Sequence, residues 1–205
     1  MFRYNAITPP ITGWLEIELD KEIIDRLWEY ADKASVSVKD TLAGNITESL
    51  DLKDEDNWFR DGVLRACVNE YAKNYPHGFS KQDHLAPRKS YDLEGFWINY
   101  QKKHEFNPSH DHGGVFSFVI WMKIPTKSKE QHNLKFLKGM KGASASDFEM
   151  TYIDTTGQIR SYPYLMDPEM EGKMLFFPSS LKHCVYPFYE CDEDRISISG
   201  NLYYC

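Results

Sequence analysis

The stretch NPSHDHGGVFSFVIW, residues 107–121, combines two closely spaced histidines with an apolar run that predicts a buried strand. Side chains in an extended chain alternate between its two faces, so we expect His110 and His112 on one side and Asp111 on the other. Two imidazoles about 6–7 Å apart along the backbone and directed to the same side can share a metal ion. Gly113 and Gly114 follow directly and are expected to leave room beside the ion and to let the chain turn.

A third ligand is expected from a distant part of the chain, and the candidate is His183. It lies in GKMLFFPSSLKHCVYP, residues 172–187, where an apolar strand ends at Pro178, a short turn follows and His183 begins the next strand. Three ring nitrogens on one side of an ion, with open positions opposite them, suit Fe(II). A His-x-His pair alone is a weak signal for a metal, and the distant Phe-Pro-x-x-x-x-His pattern strengthens it.

Arg195 lies twelve residues beyond His183, in DRISISGN, residues 194–201. On a strand, Arg195 and Ser197 share one face, and an arginine that points into a sandwich needs a partner because an isolated buried charge is costly. A planar guanidinium suits a two-pronged contact with a carboxylate, and the hydroxyl of Ser197 could share that anion. The alternative is an arginine on an edge strand, in water or paired with the acidic residues 192–194.

The rest of the chain predicts helices packed against a β-sandwich. Residues 14–19 alternate as a half-buried strand, helices are predicted near 21–34 and 57–75, and the polar residues 35–56 are predicted as loop. Short β-rich runs follow at about 91–100, 109–124, 133–137, 148–153, 158–164, 173–177, 183–187 and 195–204. Two helices followed by many short strands are typical of such a sandwich.

Composition indicates an ordinary globular protein. Of its 205 residues, 41% are hydrophobic and 27% charged, and the net charge of −7 disfavours broad affinity for nucleic acid or anionic lipid, so neither is expected as a partner. The N-terminal residues lack the pattern of an export signal, and the four cysteines show no CxxC spacing. We therefore expect a cytoplasmic protein with free thiols.

Together these residues resemble the Fe(II)/2-oxoglutarate oxygenase superfamily, whose pattern is His-x-Asp/Glu, a distal histidine and a later arginine. More closely, the chain resembles a subfamily of 2-oxoglutarate oxygenases found in marine bacteria and their phages. The resemblance lies in the segments FWIN (96–99) and NPSHDH (107–112) and in His183 and Arg195. The resemblance covers about residues 91–204. It implies a jelly-roll, that is, a distorted double-stranded β-helix related to cupins, with helices on one face.

The same resemblance implies a function. Fe(II), 2-oxoglutarate and O2 would be required, a C–H bond of a protein side chain or small molecule would be hydroxylated, and succinate and CO2 would be released. Tyr100 stands where related prolyl hydroxylases place a tyrosine that hydrogen-bonds the co-substrate. A single domain over residues 1–205 is expected, with 1–90 as a helical support and 91–205 as the jelly-roll, in the host cytoplasm if the gene belongs to a phage.

One departure concerns His112, which stands where the superfamily usually has a carboxylate. Either the site contains three histidines, or a bulge at the two glycines turns Asp111 inward. Two other functions stay open: a cupin-like three-histidine metalloenzyme that does not use 2-oxoglutarate, and a non-catalytic jelly-roll binding module. The first gives Arg195 no task, and the second treats the three histidines as coincidence.

Overall fold

The computed structural model describes residues 13–76 and 90–205, which form two packed antiparallel sheets with helices on one side. The first twelve residues, from which the absence of an export signal was predicted, lie outside this part of the chain. Within the described part, no helix is both long and apolar enough to cross a membrane.

Ten strands build the two sheets. They are β1 (Leu15–Glu18), β2 (Glu48–Asp51), β3 (Tyr91–Gln101), β4 (Asn107–His110), β5 (Phe116–Lys123), β6 (Phe148–Ile153), β7 (Ile159–Tyr164), β8 (Lys173–Pro178), β9 (Lys182–Val185) and β10 (Arg195–Tyr204). The larger sheet has the order β1-β8-β5-β10-β3-β2 and the smaller one β4-β9-β6-β7. This arrangement confirms the predicted fold class, a mostly β jelly-roll preceded by helices.

The N-terminal region is more than a helical support. Its strands β1 and β2 form the two edges of the larger sheet, where β1 pairs with β8 and β2 with β3. The prediction of loop throughout residues 35–56 was therefore wrong. The division of the chain at residue 90 stays a prediction, although these pairings cross it.

Residues 13–76 and 90–205 contain three α-helices: α1 (Lys21–Ala31), α2 (Arg65–Asn74) and the short α3 (Ser128–His132). A π-helical segment, Phe59–Leu64, leads into α2, and 3-10 segments lie at Lys39–Thr41, Lys135–Leu137 and Pro168–Met170. The strand predicted at 133–137 is therefore wrong, since that region follows α3 as a helical turn. Helix α1 confirms the helix predicted near 21–34, and its residues Leu27 and Ala31 are buried.

The larger sheet has an apolar core on each face. On the outer face α1 and α2 pack against residues such as Phe118 and Ile198. On the inner face Trp121 and Phe177 pack against Phe148 of the smaller sheet. Strand β5 is buried on both faces from Phe116 to Met122, which explains why this stretch is apolar except for Ser117. The space between the two sheets, beyond this inner core, holds the candidate site.

Candidate metal centre

Three histidines from separate parts of the fold converge at one point. His110 ends β4 and lies directly opposite His183 of β9, and His112 follows just after β4. One potential ligand nitrogen of each lies within 4.8 Å of the others. The ring centroids are 4.4 Å apart for His110–His183, 4.9 Å for His110–His112 and 5.0 Å for His112–His183. The structure thus brings together the three residues that the sequence singled out.

Backbone contacts fix the orientation of two of the rings. His110 Nδ1 lies 2.7 Å from the carbonyl oxygen of Pro108, and His183 Nδ1 lies 2.9 Å from that of Leu181. A carbonyl oxygen only accepts hydrogen bonds, so each Nδ1 is the protonated nitrogen and each Nε2 keeps its lone pair. Such a hydrogen bond on the far nitrogen is the usual support of a metal-binding histidine.

Two of the rings are held in the neutral form. Burial lowers the pKa of His183 to about 3, with repulsion from His110 as the next cause. Burial and then His110 likewise lower the pKa of His112 to about 4. His183 is packed between Phe148 and Phe177, at centroid distances of 5.7 and 5.0 Å. Metal binding requires neutral imidazole, so these rings need lose no proton near neutral pH.

Asp111 faces away from the cluster. Its carboxylate is exposed and accepts a hydrogen bond from Lys182 Nζ at 3.0 Å, and this contact lowers the pKa of Asp111. The strand alternation therefore holds through this segment, although β4 itself ends at His110. The donor set is three imidazoles, which fits a divalent transition metal but differs from the more common set of two histidines and a carboxylate.

The turn after His112 depends on Gly114. Its φ of +91° is a conformation that favours glycine, and an added Cβ would lie 2.7 Å from the carbonyl oxygen of Leu202. Backbone hydrogen bonds hold both sides of the turn, from His112 N to Ser179 O at 2.9 Å and from Val115 N to Leu202 O at 2.7 Å. The glycine thus lets the chain approach β10 closely enough to fix His112.

A narrow interior cavity of about 40 Å³ extends from the histidines between the two sheets. Ser197 lines it, as expected from the sequence. Sequence reasoning missed three further residues of its wall, Asn99, Gln101 and Trp121. The period-two spacing of Trp97, Asn99 and Gln101 along β3 was a signal that could have identified part of this wall.

Arg195 is fully buried but already has partners. It is 1% exposed on the central strand β10, which excludes an edge-strand arginine in water. Its guanidinium donates to Gln101 Oε1 at 3.1 Å, to Tyr186 O at 2.8 Å and to the backbone carbonyl of Ser146. Burial lowers its pKa to about 9. Arg195 thus lies inside the sandwich as predicted, behind Gln101 rather than free in the cavity.

Among the residues that the structure describes, no carboxylate forms a salt bridge with Arg195. The nearby Asp147 bonds instead to His132 Nε2 at 2.9 Å, and it acts on Arg195 only through its charge. The partners that Arg195 does have are neutral amide and carbonyl groups. A buried cation beside the cavity, with no carboxylate in direct contact, favours an anion as the occupant of the cavity.

The expected role of Tyr100 is wrong. Its neighbours Asn99 and Gln101 line the cavity, whereas Tyr100 packs with the apolar cluster on the helix side of the larger sheet. Alternation along β3 separates them. Tyr100 is therefore a packing residue that cannot contact a molecule held at the histidines.

An open groove of about 340 Å³ leads to the histidines from outside. Its wall includes His110, His112, Trp97, Asn201 and Tyr203. Residues 38, 41, 42 and 43 of the loop before β2 form the opposite side. A second molecule could thus approach the metal position from solvent while the interior cavity is occupied.

Comparison with known proteins identifies the family and the fold. A family model described as "Putative 2OG-Fe(II) oxygenase" matches residues 95–201, more than half of the chain. No curated protein gives a significant sequence match. A crystal structure of an oxidoreductase of the 2OG-Fe(II) oxygenase family from Burkholderia pseudomallei has a TM-score of 0.54 at 12% identity and covers 93% of this chain and 84% of that one. A prolyl-4-hydroxylase from Pseudomonas putida gives 0.48 and 12%, with coverage of 94% and 92%. The Burkholderia structure confirms the fold.

Proposed function

This chain belongs to the 2OG-Fe(II) oxygenase family, and from that premise we propose that it is an Fe(II)/2-oxoglutarate-dependent dioxygenase. It hydroxylates a C–H bond of a protein side chain or of a small molecule and releases succinate and CO2. The observation that carries the proposal is the convergence of three imidazoles, two of them held neutral by burial, beside a cavity with a buried cation whose direct partners are all neutral.

His110, His112 and His183 would hold the iron. Two of them have Nδ1 fixed on a backbone carbonyl, which directs Nε2 towards a shared ion. When bound, Fe(II) supplies the oxidative chemistry that couples decarboxylation of 2-oxoglutarate to hydroxylation. The chain's own contribution is to orient the ligands and to keep water out of the interior.

The interior cavity would hold the co-substrate. Ser197 offers a hydroxyl there, and Arg195 supplies positive charge from behind Gln101. Because the cavity is narrow, side chains in its wall must move to admit a five-carbon diacid. Direct two-pronged contact with Arg195, as the sequence predicts, would use guanidinium N–H groups not engaged by Gln101, Ser146 O and Tyr186, or would displace one of these acceptors.

The groove outside the histidines would admit the primary substrate. Its size falls in the range of ligand pockets, and Trp97 and Tyr203 provide aromatic surface for an apolar or extended group. A protein side chain or a small molecule fits this opening equally well, so the proposal includes both.

An anaerobic titration tests the proposal. Fe(II) and 2-oxoglutarate are added separately and together, and the visible charge-transfer absorption of their chelate is recorded. The band should require both components and should be absent in His183→Gln but present in His104→Asn, which replaces an exposed histidine outside the cluster. Metal binding with no response to 2-oxoglutarate would favour a three-histidine metalloenzyme of another class, and binding of neither would favour a non-catalytic module.

A further inference from the structure

A row of polar side chains crosses the inner face of the larger sheet. Trp121 of β5 lies opposite Ser197 of β10, and Ser197 lies opposite Asn99 of β3. Directly opposite residues share a face of the sheet, and all three line the interior cavity. Asn99 Oδ1 accepts a hydrogen bond from Ser49 Oγ at 2.7 Å, which fixes that amide. The row therefore presents hydrogen-bond donors to whatever the cavity holds.

Trp121 is the member of this row that lacks a partner. Its side chain is 1% exposed, and its indole Nε1 has no acceptor within residues 13–76 and 90–205. By contrast, Trp14 Nε1 donates to the hydroxyl of Tyr164 at 2.8 Å. A buried N–H without an acceptor costs free energy, and a phenylalanine would fill most of the same space without that cost. An acceptor supplied by a bound molecule accounts for the indole.

The position of Trp121 indicates which end of a bound molecule its indole would contact. Trp121 lies on β5 directly opposite Ser197 of β10, whereas His110 and His183 lie on β4 and β9 of the smaller sheet. The rings of Trp121 and His183 both lie near that of Phe148, at 5.4 and 5.7 Å. Arg195, two residues from Ser197 on the same face of β10, adds positive charge near this inner end.

We propose that the indole N–H of Trp121 donates a hydrogen bond to the far carboxylate of the 2-oxo diacid held in the interior cavity, beside the hydroxyl of Ser197. Trp121 is then a binding residue that favours a diacid over a 2-oxo monoacid of the same length. The inference rests on the proposed function, since it takes the occupant to be 2-oxoglutarate.

The indole resonance itself provides the test. The chain has five tryptophans, so Zn(II)-loaded, ¹⁵N-labelled protein should give five indole N–H signals, and Trp121→Phe identifies the relevant one. Adding 2-oxoglutarate should move this signal, and 2-oxopentanoate, which lacks the far carboxylate, should leave it nearly in place. The affinity of Trp121→Phe for 2-oxoglutarate should fall about tenfold or more, while its affinity for 2-oxopentanoate and that of a Trp58→Phe control for both acids stay unchanged.

The outcomes separate the two proposals. If the wild-type protein binds no 2-oxoglutarate, the proposed function is wrong. If it binds 2-oxoglutarate while the Trp121 signal stays still, or if Trp121→Phe binds it equally well, the role of Trp121 is overturned and the proposed function stands. Should Trp121→Phe fail to fold, single replacements of the other four tryptophans assign the signal by elimination, and the wild-type titration decides.

Discussion

His110 and His183 lie directly opposite each other across the antiparallel pair β4–β9. The Nδ1 atom of each ring donates to the backbone carbonyl two residues earlier in the sequence, that of Pro108 or Leu181. The same local geometry thus occurs on both strands and leaves both Nε2 atoms available on the same side. Cross-strand pairing therefore sets the spacing of these two ligands. Only His112 depends on the turn that follows β4.

Removing His183 should abolish metal binding without unfolding the protein. In His183→Gln the amide can still form hydrogen bonds in the buried site but provides no imidazole nitrogen. The two remaining histidines should hold a metal far more weakly than three. We expect a loss of at least about 100-fold in affinity for Zn(II) or anaerobic Fe(II) by calorimetry. His104→Asn, at an exposed histidine outside the cluster, is the control. If His183→Gln bound the metal as tightly as the wild type, His183 would not be a metal ligand.

The roles of His112 and Asp111 can be separated by exchange. Asp111→Asn should keep most metal affinity because its side chain contacts Lys182 in solvent. His112→Ala should lose that affinity, and His112→Asp should retain metal because a carboxylate is also a good ligand. Metal titrations of the three variants decide the matter. A metal-free Asp111→Asn beside a metal-binding His112→Ala would show that Asp111 turns inward.

The histidine cluster could be predicted because its signals are local. Alternation along an extended segment is enough to put His110 and His112 on one side, and the apolar strand before Pro178 locates His183. The edge strand β2 was missed because ESLD is short and polar, and its pairing with β3 comes from the tertiary structure. The strand propensity of these four residues does not indicate that they pair with β3.

Tyr100 and Arg195 show where sequence reasoning stops. From Phe96 to Ile98 strand β3 is buried on both faces, so apolarity does not reveal which face lines the cavity. The pairing of β3 with β10 also shifts by one residue: Gly200 lies opposite Phe96 and Asn201 opposite Glu94, so Gly95 is left as an extra residue. Such a bulge changes which side chains of β3 share a face before and after it. Besides Gln101, the partners of Arg195 are the backbone carbonyls of Ser146 and Tyr186, which any residue type supplies. Neither fact can be read from residue identities.

Gly114 should be essential to the metal centre. In Gly114→Ala the new Cβ would meet the Leu202 carbonyl oxygen at 2.7 Å, so the turn must shift and carry His112 with it. Gly157→Ala is a matched control, because its φ is +79° but nothing lies within 4 Å of its added Cβ. Both variants should lose some thermal stability, and only Gly114→Ala should lose metal affinity. Equal affinities would mean that the turn does not position His112.

The metal-free protein should lose stability on acidification. The pKa values of His112 and His183, about 4 and about 3 in the folded state, lie below the value of about 6.5 for an unfolded histidine. Below that pH the unfolded state binds more protons, so the free energy of unfolding falls as pH drops from about 6.5 towards 4. Urea unfolding across this range measures the slope. It should be shallower in His183→Gln, and an identical slope there would contradict the assignment.

The guanidinium of Arg195 should be required for 2-oxoglutarate binding but not for metal binding. In Arg195→Lys a single ammonium replaces a planar fork whose donors reach Gln101, Ser146 and Tyr186 in different directions. Acceptors left without a donor should lower the free energy of unfolding by about 1–3 kcal/mol. Loss of the ordered Gln101 should weaken 2-oxoglutarate binding about tenfold or more, whereas the histidines should keep their metal affinity. Arg160→Lys, on the exposed strand β7, is the control. If Arg195→Lys bound 2-oxoglutarate like the wild type, the buried charge and its network would be structural, and the anion would depend on Ser197 and Trp121 alone.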